Sequence, residues 1–390
     1  MSLLIVFSII VLLSLGLTQM SILFAKSHNI HDHPDELRKF HLNPTPTTGG
    51  LAIGISFFIG LLLVQEIQPS KNESLNAFLW YFFSGALIIF VTGLTDDVLG
   101  LASKPKFVLQ SIAAVIVLFG IKQELFPHFG KVDDLSFFAS IGLFSLLWFW
   151  IVANTNMMNL IDGVDGLAST INLTILFGLM VIAFSWKLGD ASMFIIPLTA
   201  SIIGFLAFNK PPASVFMGDT GSLLLGFSNA VIALVLCFHA PHWKYTFSLI
   251  LLPAVPAIDT LFSIIRRAKK GVNPFDSDHE HIHHIFQKYF RSPALTDITL
   301  GSISMIFVLT AILLANTKDD TLYFTVLSVL FLLVVLVSVI YYYKIDSINS
   351  IVIQENDLKR TIRRISNGKR ELKSDTESAA IDKYVRTFKN

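Results

Sequence analysis

Long apolar runs alternate with short polar stretches from one end of the chain to residue 343. The runs centre on residues 3–24, 49–66, 77–94, 107–121, 136–153, 165–185, 192–208, 221–239, 245–264, 298–315 and 321–343. Most are about the length at which an α-helix, rising about 1.5 Å per residue, crosses a hydrocarbon layer. The short alternating segments of a lipid-facing β-barrel do not occur. The pattern predicts an all-α polytopic membrane protein with about eleven transmembrane helices. The first run lacks a basic flank and is too long for a signal-peptide core, so it reads as the first span. No repeat or linker separates a second folded domain. The expected division is a membrane domain over residues 1–343 and a polar tail over 344–390.

Composition agrees. Of 390 residues, 53% are hydrophobic and only 15% charged, where a soluble domain carries about a quarter. The 34 phenylalanines leave too little polar surface to meet water all round, which makes a lipid bilayer the expected partner. A net charge of +1 gives no sign of nucleic acid, which is not among the expected partners. The single cysteine, Cys237, lies in an apolar run. It permits no intrachain disulfide or cysteine zinc cluster and reads as a small buried hydrophobe.

Basic residues set the expected orientation. With eleven spans, the loops fall into two alternating sets, and one set with the tail holds 23 of the 29 Lys and Arg. That set is expected in the cytoplasm, which puts the N-terminus outside and the C-terminus inside. Tyr341, Tyr342, Tyr343 and Lys344 would anchor the last span at the interface. The tail, with its stretch LKRTIRRISNGKREL, reads as solvated or as a surface helix.

The same loop parity gathers the unusual polar clusters on that one face. Thr95, Asp96 and Asp97 end the third run, followed by Lys104 and Lys106; adjacent carboxylates at a span end are costly unless they bind a cation or meet water. Next comes Asn154 to Gly166, where Asn159, Asp162 and Asp165 would share one face if helical. Phe208, Asn209 and Lys210 precede Phe216, Gly218 and Asp219. Asp219 there also suits an ordinary helix cap, and Phe216 offers a surface on which a base can stack. The longest loop of the set follows Asp259, Arg266 and Arg267 and contains Asp276, Asp278, His279, Glu280, His281, His283 and His284. Its spacing lacks the HExxH pattern of zinc proteases, and phosphate contact fits better beside two arginines. The first loop, His41 to Gly50, is shaped by Pro44, Pro46, Gly49 and Gly50. Together, carboxylates and amide oxygens suit a hard divalent cation, and Lys, Arg and His suit phosphate. This is the equipment of phosphoryl transfer at a membrane surface.

The ordered motifs PTPTTGG, TDDVLGLASKPKF, NMMNLIDGVDGLA, FNKPPASVFMGDTGS and DHEHIHH resemble those of the polyprenyl-phosphate N-acetylhexosamine-1-phosphate transferases. The phospho-N-acetylmuramoyl-pentapeptide transferases are related to these. The resemblance covers about residues 30–315. It implies transfer of a sugar-1-phosphate from a UDP-N-acetylhexosamine to a polyprenyl (undecaprenyl) phosphate with release of UMP. It also implies Mg²⁺, with Mn²⁺ as a substitute, at the cytoplasmic face of a bacterial inner membrane, and a homodimer as the assembly to look for. Asp96, Asp97 and Asp162 are the expected catalytic carboxylates, and Asp219 and Asp162 the expected metal ligands. Asn159, Asp165, Asn209, Phe216, Gly218, His281, His283 and His284 are assigned to nucleotide and sugar. Lys104, Lys106, Arg266 and Arg267 are assigned to phosphate. Two positions depart from the usual motifs, Thr47 and His279, and both lie where the sugar is expected to be recognised. The short HIHH form points to the hexosamine branch. The rival class is a transporter of an anionic substrate, which would place its polar groups near the bilayer midplane and often in repeated halves.

Overall fold

The computed structural model describes residues 3–27, 45–125, 137–242, 245–270 and 281–330. All regular structure among them is helical. In chain order the elements are α1 (Leu3–Ser27), α2 (Gly49–Ile67), α3 (Glu73–Leu99), α4 (Ser103–Gly120), α5 (Phe137–Ile161), α6 (Leu167–Ser185), α7 (Ser192–Asn209), α8 (Gly218–Phe238), α9 (Thr246–Ile250), α10 (Ala254–Lys270), α11 (Ile282–Phe290) and α12 (Pro293–Asn316). A short π turn, Ile121–Leu125, extends α4, and a 3-10 turn, Gly189–Ala191, leads into α7. These elements belong to one compact unit, Met1–Lys318; a second unit begins at Asp319, and its described part is the helix Asp320–Leu330.

Nine helices among the described residues are long and apolar enough to cross a membrane. The protein is therefore an all-helical, multi-pass membrane protein. The run at 245–264 takes another form. It breaks into α9, a turn over 251–253 and α10, where Pro253 and Pro256 interrupt the hydrogen-bond ladder. The run at 321–343 is described only as far as Leu330, and the tail, the first loop through Pro44 and residues 271–280 (His279 included) lie outside the described residues.

The bundle is built around α8. Some 94% of its most apolar window is buried, and α2, α3, α5 and α6 pack around it. Lipid is as apolar as leucine, so packing between spans rests on small residues and on hydrogen bonds. Both are present. A Cβ on Gly85 would meet the Phe227 ring, and one on Gly226 would meet the α5 backbone at Asn154 and Thr155. The Trp150 indole donates to the Ala230 carbonyl at 3.1 Å, Asn229 donates to Asn172 at 2.5 Å, and Thr174 and Ser304 share a 2.7 Å hydrogen bond. Large apolar side chains such as Leu12, Trp80, Phe149 and Leu309 point outward, as they would toward acyl chains.

Candidate active site

The polar clusters meet at one end of the bundle, around the N-terminus of α8. Local sequence explains how that end is held. Gly218 has φ +69, a left-handed conformation that glycine adopts without the Cβ penalty. The preceding strand-like segment is clamped to the first loop: Phe216 N–H donates to Pro46 O at 2.7 Å, Gly49 N–H to Phe216 O at 3.0 Å, and Gly50 N–H to Met217 O at 2.8 Å. Glycines permit the approach. A Cβ on Gly50 would strike the Gly221 backbone, and one on Gly93 would lie 2.5 Å from the Asp219 carbonyl. The segment 45–50 thus acts as the seat of the Asp219 turn.

Asp219 does not cap its own helix; the N-cap position is Met217, with no side-chain cap bond. Asp97 of α3 does the capping from outside. It accepts from Asp219 N at 2.8 Å, Thr220 N at 2.9 Å and the Thr220 hydroxyl at 2.5 Å. A carboxylate on the exposed donors of a helix N-terminus is favoured by about 0.3–2 kcal/mol, depending on burial. Asp97 is thereby fully engaged in holding the turn.

Asp96 and Asp219 are joined by Lys106. The Lys106 ammonium lies 2.5 Å from Asp96 and 2.6 Å from Asp219. The other Asp96 oxygen accepts from Leu101 N at 2.7 Å, and Asn159 donates to the remaining oxygen of Asp219 at 2.9 Å and to Ser222 at 3.0 Å. Asp162 stands just beyond α5, which ends at Ile161. The helical spacing of Asn159, Asp162 and Asp165 therefore stops after the first of them. Burial pushes the Asp162 carboxyl up to about 8, and the charges of Asp219, Asp97 and Asp165 push the same way. Four carboxylates thus converge with one ammonium among them in this cluster, a donor set of oxygens with excess negative charge. Such a donor set suits a hard divalent cation.

Two residues expected at the nucleotide are bonded within the protein. Asn209 is buried, accepts from Ser169 at 3.0 Å and donates to Val215 O at 2.9 Å. Asp165 accepts from Ala213 N at 2.9 Å. Both shape the loop over 210–217, in which Phe216 stands half-buried with its ring beside the Asp219 turn in sequence. Lys104 is exposed on the first turn of α4, and Arg266 and Arg267 are half-buried on α10.

The histidines form a second cluster. His281 and His283 are buried and stack on each other with ring centroids 5.4 Å apart, and His284 tilts against His283 at 4.2 Å. Burial, and then the neighbouring His283, push the His284 imidazole down to about 3, so it is neutral at pH 7. Asp259 is 1% exposed. It accepts from Ile282 N at 2.6 Å, and its second oxygen lies 3.1 Å from His283 Nδ1 and 3.3 Å from His281 Nδ1. The Nε2 edge of His283 abuts Gly163, where any Cβ would collide with it. Asp259 and Gly163 received no individual role from the sequence. The available signal was a carboxylate in the apolar stretch PAVPAIDTLF, where an unpartnered charge is costly.

Comparison with known proteins agrees with the geometry. The model of the family described as Glycosyl transferase family 4 matches residues 79–237, which carry Asp96, Asp97, Asp162, Asp165 and Asp219 of the carboxylate end and the helices that bear them. The chain is 34% identical to the "Probable undecaprenyl-phosphate N-acetylglucosaminyl 1-phosphate transferase" of Bacillus subtilis, over 79% of this chain and 83% of that one. It is 31% identical to the undecaprenyl-phosphate alpha-N-acetylglucosaminyl 1-phosphate transferase of Thermotoga maritima, over 71% and 79%. It is 35% identical to a phospho-N-acetylmuramoyl-pentapeptide-transferase of Clostridium acetobutylicum, over 57% and 69%. With relatives of 31–34% identity covered over most of their length, the chain belongs to glycosyl transferase family 4, among its phosphosugar transferases.

Proposed function

We propose that this protein transfers N-acetylglucosamine-1-phosphate from a UDP-sugar to undecaprenyl phosphate, releasing UMP and starting the assembly of a cell-surface polymer. The observation that carries this reading is the meeting of Asp96 and Asp219 on Lys106 at one end of the bundle, with Asp162 close enough to feel the Asp219 charge. There a water-borne nucleotide and a lipid-borne phosphate can both arrive. The donor sugar follows the two N-acetylglucosaminyl relatives. Counted over eleven spans, the 23-to-6 split of basic residues supports a cytoplasmic site and an external N-terminus.

In the mechanism, Asp219 and Asp162 would hold Mg²⁺, or Mn²⁺ in its place. The bound metal would neutralise charge on the transferring pyrophosphate. Lys106 balances Asp96 and Asp219 and is placed to meet phosphate oxygens, as is Lys104 at its outer side. Asp96 orients the lipid phosphate and takes its proton when it is protonated. A lipid phosphate oxygen forms a bond to the sugar-bearing phosphorus as the bridging oxygen leaves with UMP. Direct attack is favoured over a covalent Asp96 intermediate because both Asp96 oxygens already accept hydrogen bonds, from Leu101 N–H and Lys106, which lowers their nucleophilicity. Asn159 holds Asp219, and Phe216 and the histidines border the nucleotide.

The test uses purified protein with undecaprenyl phosphate and a panel of labelled UDP-sugars. UDP-N-acetylglucosamine should give UMP and a labelled lipid, and Asp219→Asn should give neither while eluting as a folded protein. Retained turnover in Asp219→Asn, or an acyl-phosphate trapped on Asp96, would remove the corresponding assignment.

A further inference from the structure

The Asp259 cluster lies outside the carboxylate centre, and the mechanism above gives it no task. Asp259 sits on α10, between the apolar residues Ile258 and Leu261–Phe262 and is buried. A buried carboxylate is tolerated where donors satisfy it, so its partners reveal its purpose. One oxygen takes the Ile282 N–H at 2.6 Å, the first amide of α11. His281, at the N-cap of α11, makes no side-chain cap bond there, so the cap comes from a different helix. The other oxygen faces the Nδ1 atoms of both His283 and His281, at 3.1 and 3.3 Å. One carboxylate thus fixes the start of α11 and the two buried rings that follow.

A carboxylate on Nδ1 selects the tautomer with the proton on that nitrogen and leaves Nε2 as the outward-facing atom. For His283 that edge rests on Gly163. Gly163 directly follows Asp162, and its φ is not in the left-handed range. An alanine would suit that backbone; what forbids the side chain is the His283 ring. The contact therefore joins the histidine segment to the acidic loop at the residue next to a carboxylate of the centre.

We infer that Asp259 is a positioning residue that sets the tautomer of His283 and the placement of His281 and His283, and that Gly163 is the seat through which this placement registers the histidine segment over the acidic loop. The effect falls on the nucleotide-sugar side of the reaction, because the lipid-side groups Asp96 and Lys106 are held by contacts independent of α11. The inference rests on the transferase reading above for its kinetic consequence but not for its tautomer.

The experiment uses the full-length protein in detergent, with Asp259→Asn, Asp259→Glu and Gly163→Ala. Asp259→Asn should lower kcat/KM for UDP-N-acetylglucosamine by about 10–100-fold, the usual loss when a group that orients a histidine is removed. The KM for undecaprenyl phosphate should stay within about twofold by the same reasoning, since that substrate is held elsewhere. Asp259→Glu should recover part of the loss. Gly163→Ala leaves the Asp259 carboxylate in place, displaces the His283 ring from its seat, and should show the same kinetic split, which covers the case in which Asp259→Asn fails to fold. In parallel, ¹⁵N spectra of histidine-labelled protein should show His283 as the Nδ1–H tautomer, changed in Asp259→Asn and assigned by a His283→Gln variant. An unchanged His283 tautomer in Asp259→Asn would overturn the inference, as would parental kinetics in both Asp259→Asn and Gly163→Ala. So would a stoichiometric zinc ion held by Asp259, His281 and His283. If no UDP-sugar turns over but the tautomer shift appears, the transferase reading fails and the positioning stands.

Discussion

At the scale of single residues, the active end is a contest between like charges and the few groups that relieve them. Asp97 is spent on three donors of the α8 turn. Replacing it by Asn substitutes an amide for one accepting oxygen and strands a donor, at a cost of about 1–3 kcal/mol. Asp97→Asn should therefore lower the Tm as well as activity, whereas Asp219→Asn should lower activity alone; a thermal melt of the two variants side by side checks this. Asp162 gives a pH prediction. Its carboxyl is raised in the folded protein from 3.8 to about 8. The protonated form is therefore the stable folded form, and metal-free protein should lose stability as the pH rises through about 8. Mg²⁺ must displace that proton, so its apparent affinity should fall as the pH drops below about 8. Titration calorimetry in buffers of different ionisation heat should detect the released proton, and Asp162→Asn should abolish it.

At the scale of elements, the question is what lets backbones approach closely enough to place Asp219. Gly93 of α3 and Gly50 of α2 lie directly against the α8 turn. The neighbour at Gly93 is backbone, which cannot swing aside as a side chain can. Gly93→Ala should cut turnover at least about tenfold, since a displacement near 1 Å suffices for losses of that order and more. Gly142→Ala on α5, with nothing within 4 Å, should leave turnover unchanged. Measuring both variants at matched amounts of folded protein makes the comparison. The motifs legible in the sequence as chemistry turn out to divide between two tasks. Asp96, Asp162 and Asp219 converge, while Asn209 and Asp165 staple the loop beside them. Motif spacing did not separate those tasks, because an oxygen that meets a ligand and one that accepts an amide look alike in a sequence.

At the scale of the whole molecule, orientation is the testable property. In a Cys237→Ser background, a cysteine replacing Lys71 should react with a membrane-impermeant maleimide in intact cells. One replacing Lys210 should react only after permeabilisation. The reverse pattern would turn the protein over and place the site outside.

The sequence by itself determined the solvent, the helical class, the loops that carry chemistry and the family, because apolar run length and ordered polar motifs are local properties. It also placed a break near Pro253 and Pro256 within reach of inference, although the run length there favoured one continuous span. The tertiary structure alone decided which carboxylates meet across Lys106, that Asp97 caps a helix far away in the chain, and that Asp259 grips the histidines against Gly163. Those facts depend on contacts between residues 10 to 123 positions apart, and such contacts are fixed by how the spans pack around α8 and not by any one stretch of sequence.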